Sequence, residues 1–177
     1  MLPESTTRGR RRPFLRGFSL LELIVVIAIL GIMARVALPR LSNTYARNRL
    51  DAAARRIVSD LALAQQRARQ LSTPQNVQFD SGSSAYVLDG MSDPAHPASA
   101  YKIALDAAPY EVALAQVDFG GDEKLVFDGF GVPDSGGDVY LRLGGQLRQV
   151  TLAATTGRAT ISEPDALPAP KVKELVK

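Results

Sequence analysis

Three side chains in this 177-residue sequence sit in settings that invite a chemical reading: His96, Ser135 within Asp134-Ser135-Gly136-Gly137, and Glu22 inside an apolar run. Cysteine is absent, which removes disulfides, thiolate nucleophiles and thiolate metal ligands together. A lone histidine excludes a multi-histidine metal cage. Ser135 would need His96 as its base, and that residue lies 39 positions upstream in a loop flanked by prolines. The β-patterned region of roughly 90 residues is too small for the double barrel such a serine usually requires. A Gly-rich turn explains the segment, and no catalytic residue is expected. Asp118, Asp122, Glu123, Asp128, Asp134 and Asp138 fall among glycines, as calcium-binding acids do, but the D-x-[DN]-x-[DN]-G spacing is missing. They read as solvated turn acids. Without a Walker loop, dinucleotide fingerprint or zinc motif, neither a metal nor a cofactor is expected.

Glu22 is the harder case. Arginines 8, 10, 11, 12 and 16 precede the apolar run Phe18–Leu38, whose 21 residues would reach about 31 Å as a helix. That matches a hydrocarbon core only if Glu22 lies inside it, where a lone acid costs a few kcal/mol and needs a partner or a task. The leading arginines hold the N-terminus in the cytoplasm, so the bulk of the chain is exported. A plain signal anchor leaves Glu22 unexplained. A twin-arginine export signal would account for Arg11-Arg12-Pro13-Phe14-Leu15-Arg16, yet no A-x-A site follows the apolar run.

The segment closely resembles the prepilin signal: a basic leader ending in glycine, then phenylalanine, then an apolar helix with glutamate at the fifth mature position. Gly17, Phe18 and Glu22 fill those places, and Pro39 stands at mature position 22, where pilin-like helices usually carry a proline. The resemblance implies that a prepilin peptidase cuts between Gly17 and Phe18 and methylates the new amine of Phe18. It also gives Glu22 an assembly role, pairing in the filament with a neighbouring subunit's N-terminal amine, so that neither charge stands alone in an apolar core. Pro39 is expected to bend the helix without ending it.

Beyond the proline, Ala46, Leu50, Ala53, Ala54, Ile57, Leu61, Ala64, Ala68 and Leu71 recur at spacings of three and four, a helical stripe that Ser72-Thr73-Pro74 should end. The period then changes to two. Short strands are expected near 76–79, 85–88, 101–105, 110–115, 124–127, 139–143, 148–152 and 158–161, with turns that include Asp89-Gly90, Gly120-Gly121, Asp128-Gly129, Gly144-Gly145 and Thr156-Gly157. The expected organisation is a leader (1–17), a transmembrane helix (18–38), an amphipathic extension (39–72), a periplasmic β domain (75–162) and a flexible tail (163–177). The fold class is α+β and pilin-like, with a long N-terminal helix packed on antiparallel sheets.

A second resemblance lies in the β region. Val126-Phe127-Asp128-Gly129-Phe130-Gly131-Val132-Pro133 and Thr155-Thr156-Gly157-Arg158 are similar to the C-terminal half of the GspH/FimT family of minor pseudopilins, with its F-[DN]-x-x-G-x-P strand end and final T-G-R hairpin. Gly131, Pro133, Gly157 and Arg158 are thereby marked as family turn positions. The resemblance implies a non-enzymatic minor pseudopilin of a type II secretion system, held in the bacterial inner membrane. Its implied partners are the prepilin peptidase, other major and minor pseudopilins, the inner-membrane assembly platform and the lipid bilayer. The alternative is a FimT-like minor pilin of a type IV pilus, binding DNA through Arg142, Arg148, Arg158, Lys171 and Lys173. Charge argues against nucleic acid: of the net +3, residues 35–69 carry +6 and residues 70–177 carry −6.

Overall fold

The computed structural model describes residues 18–94 and 96–169, apart from the side chains of 34–42. The leader with Gly17, the Pro39 side chain, and Lys171 and Lys173 therefore lie outside the described residues. Two compact units, Met1–Arg40 and Leu41–Lys177, divide the chain. Helix α1, Leu20–Leu71, includes Pro39 without ending there. Its end follows from local chemistry. Ser72 adopts a left-handed φ of 52°, Thr73 N donates to Ala68 O at 3.3 Å, and Pro74 cannot continue the helix.

Within the second unit the predicted stripe is the core face of α1. Leu50, Ala53, Ala54, Ile57, Leu61, Ala64 and Ala68 are all buried. The small residues let the helix approach the sheets closely, while Leu50, Ile57 and Leu61 fill the space between. Leu71 departs from the expectation and is 54% exposed, because the chain turns away at Ser72 before a strand can cover it.

Eight strands follow: β1 (Gln75–Asp80), β2 (Ala85–Ser92), β3 (Ala100–Ala104), β4 (Ala113–Phe119), β5 (Lys124–Phe127), β6 (Gly137–Leu143), β7 (Gln146–Leu152) and β8 (Ala159–Ser162). They form two four-stranded antiparallel sheets, ordered β3-β2-β1-β5 and β4-β6-β7-β8. Inward residues alternate as the period of two requires, and Phe79 packs on Tyr86 and Phe119 with ring centroids 5.3 and 5.5 Å apart. The pilin-like α+β architecture stands. Two local expectations do not. Asp89-Gly90 lies inside β2, where the register to β3 shifts between Leu88 and Ser92, so Gly90 at φ 69° serves a bulge instead of a turn. Tyr110-Glu111 precedes β4, since Tyr110 N bonds Ala107 O in a turn and Glu111 takes a left-handed φ of 53°, outside the extended region of a regular strand.

Candidate functional site

The N-terminal unit presents an apolar helix surface with one acid on it. Phe18 and Leu20–Met33 are exposed along their described length, and Glu22 sits in the first turn of α1, where a negative charge suits the helix dipole. No ion pair to Glu22 is formed among the described residues. The described apolar run, Phe18–Met33, would span only about 24 Å. Among the described residues, no helix is long and apolar enough to cross a membrane.

The second region of interest is the loop after β5, where the predicted turn positions converge on α1. Asp128 Oδ1 accepts from Phe130 N at 2.9 Å and Val132 N at 2.7 Å, while Asp128 N donates to Val132 O at 2.9 Å. Gly131 holds φ 77°, and a Cβ there would strike Arg69 Nε. Gln65 ties the loop to the final hairpin: its Nε2 donates to Gly131 O at 2.8 Å and to Thr156 O at 2.9 Å. Gly157, at φ 65°, lies directly against that same amide, so a side chain has no room there. Pro133 is buried and bridges to Phe127, whereas Arg158 is exposed. Gly131 and Gly157 thus meet at Gln65, Pro133 is tied to β5 through Phe127, and the Arg158 side chain is exposed.

Residues 16–34 match the prokaryotic N-terminal methylation motif, and residues 53–156, more than half of the chain, match the type II transport protein GspH family. The chain belongs to the GspH family. The crystal structure of the type IV minor pilin FimU from Pseudomonas aeruginosa strain PAO1 is similar in fold, with a TM-score of 0.50 and 17% identity over 68% of this chain and 96% of that one. No curated protein matches significantly. The chain is a GspH/FimT-like pseudopilin by family, and it shares the fold of that minor pilin. The methylation motif implies processing by a peptidase and assembly with other pilins.

In this GspH-family chain, two polar clusters hold α1 to its sheets, and neither was marked by motif. Asp60, 4% exposed, accepts from Tyr86 OH at 2.6 Å, Tyr101 OH at 2.9 Å and Arg56 Nε at 3.0 Å. Burial, and then the Asp60 charge, push the Tyr86 hydroxyl well above its ordinary pKa. Tyr101 shifts up for burial and for its hydrogen bond to Asp60. The second cluster centres on Arg148, 8% exposed, whose Nε is 2.5 Å from Asp51 Oδ1 and whose guanidinium is 3.1 Å from Glu163 Oε2. The hydrogen bond to Asp51 raises the Arg148 pKa against the effect of burial. Arg148 is therefore not the exposed cation that a DNA-binding reading expected, although Arg142 and Arg158 are exposed. Glu163, the first residue of the predicted tail, is held to β7.

The candidates for catalysis and metal binding are kept apart. His96 Nδ1 lies 3.3 Å from Asp93 in the β2–β3 connection, and Ser135 Oγ donates to Asp134 Oδ1 at 3.4 Å in the β5–β6 connection. The turn acids are occupied by their own backbone and sheet neighbours: Asp118 accepts from Gly121 N, Asp134 from Val126 N, and Asp138 from Gln149 and Thr151. Among the described residues no group of three or more candidate metal ligands occurs.

Proposed function

We propose that this subunit is a minor pseudopilin of a type II secretion system, assembling into or priming the periplasmic pseudopilus that moves folded proteins outward. The observation that carries the reading is Glu22: a carboxylate on an exposed apolar helix, four residues after Phe18, with no ion-pair partner among the described residues. Such a charge is costly in lipid unless an opposite charge meets it. Cleavage after Gly17 would create one at every subunit, the methylated amine of Phe18, and a staggered neighbour would bring it to Glu22. Residues 1–17 then act as the leader and 18–38 as the inner-membrane segment with Pro39 at its kink. The cytoplasmic side holds the arginine-rich leader, and the unit from Leu41 lies in the periplasm.

The test is genetic. Loss of the gene from its bacterium should abolish release of exported proteins while leaving pilus-dependent motility and DNA uptake intact. Wild type should restore secretion, and Glu22→Val should not, although it inserts in the membrane. A defect confined to pili or DNA uptake would replace this reading with a type IV minor pilin.

A further inference from the structure

Of the eight strands, β8 alone contributes no buried side chain. Thr160, Ile161 and Ser162 are exposed, and Ala159, at its start, is the residue that packs on the core. It is an edge strand that pairs with β7, through Leu152↔Ala159, Thr151↔Thr160, Val150↔Ile161 and Gln149↔Ser162. Its two ends are held unequally. The connection before it is fixed: Ala153 N donates to Arg158 O at 3.0 Å, Gly157 N donates to Ala153 O at 2.8 Å, and Gln65 reaches Thr156 O from α1. At the far end stands an ion pair between Arg148 and Glu163, a residue that is itself exposed.

From this arrangement we infer that β8 is a strap, hinged at Gly157-Arg158 and latched by Glu163, that opens while the rest of the second unit stays folded. Arg148 makes this possible. Its Nε holds Asp51 of α1, whereas its Nη1 meets Glu163 and Leu147 O. When Glu163 leaves, the largely buried guanidinium keeps one carboxylate, so opening leaves no unpaired buried charge. β7 stays tied to α1 through that Arg148–Asp51 pair and to β6 along the register from Gly137↔Leu152 to Leu143↔Gln146. Opening gives up one short ladder and one ion pair whose acid is exposed, each of small net worth against water, and it returns backbone freedom to β8. Global unfolding must in addition expose Val150, Leu152 and the core that they join. The strap therefore opens before the core does, and β7 becomes the sheet edge, with an outward row of N–H and C=O groups unpaired. The two acids are also coupled through their shared guanidinium. Loss of Asp51 makes Glu163 the remaining carboxylate of Arg148 and holds the strap at least as firmly shut.

Residue-resolved amide hydrogen exchange, followed by NMR on the full-length chain in detergent micelles, tests the strap. After correction for intrinsic rates, the β8 amides bonded to β7 should exchange at least about tenfold faster than the amides shared by β6 and β7. Alternate residues of an antiparallel strand point their N–H groups to opposite neighbours, so β7 itself should split into two classes. Its amides facing β8 should exchange with the strap, and those facing β6 with the core. Glu163→Gln should speed β8 exchange about two- to fivefold. Asp51→Asn should leave β8 exchange equal or slower, although it lowers the urea midpoint of the core amides. A difference under tenfold between the two ladders of β7 in the wild type would overturn the inference. So would an unchanged β8 rate in Glu163→Gln, or a β8 rate raised by Asp51→Asn.

Discussion

At the scale of single residues, the second unit is pinned by polar atoms at places where a helix face reads as solvated. Asp60 receives two tyrosine hydroxyls and a guanidinium in a site sealed by α1 and the first sheet. Asp60→Ala strands those donors, and we expect it to cost about 3–5 kcal/mol in denaturant unfolding, with Asp60→Asn milder because one acceptor remains. The tyrosines also set a pH dependence. Both have folded-state pKa values raised above the ordinary 10, so above pH 10 the unfolded chain loses protons that the folded chain keeps. Their contribution is complete below pH 10 and fades as pH rises further, by up to about 1.4 kcal/mol per unit for each group. Tyr86→Phe should flatten that alkaline decline in stability against pH, and an unchanged slope would show that Tyr86 is not its source. These roles were not legible in sequence, because an aspartate and an arginine four apart on a helix look like an exposed pair until a sheet covers them.

At the scale of elements, periodicity carried further. The stripe from Leu50 to Ala68 is the buried face, since a spacing of three and four leaves a helix only one side to bury. Eight strands form near the expected ranges, but Asp89-Gly90 is a bulge inside β2, where a glycine carries the same local signature as in a turn, and β4 starts only at Ala113 because Tyr110-Glu111 is held in a turn. The junction at Gly131 and Gly157 was visible only as turn residues; its partner, Gln65, lies 66 residues from Gly131 and leaves no pattern of its own. Gly157→Ala adds a methyl against the Gln65 amide at a left-handed φ, and should cost about 1–3 kcal/mol. In a Gln65→Ala background the steric part of that cost should largely disappear, leaving the backbone strain. Purely additive losses in the double-mutant cycle would contradict the contact.

At the scale of the whole molecule, one chain holds an exposed apolar helix segment and, in its second unit, a sheet-covered core. The core of the second unit lies between α1 and the two sheets, so a fragment beginning at Leu41 should be soluble without detergent and unfold cooperatively on heating. A fragment that aggregates or melts without a transition would show that the head depends on residues before it. The described residues of the N-terminal unit contain no buried apolar cluster, and the proposed assembly in lipid would account for their exposed apolar surface. Everything in that explanation depends on a new charged terminus being made at Phe18. Intact-mass and N-terminal peptide spectrometry of the chain recovered from cells with their prepilin peptidase tests it directly. The account predicts a chain that starts at Phe18 and carries a methyl group on its amine. A chain that keeps its first 17 residues, or that begins elsewhere, would contradict it.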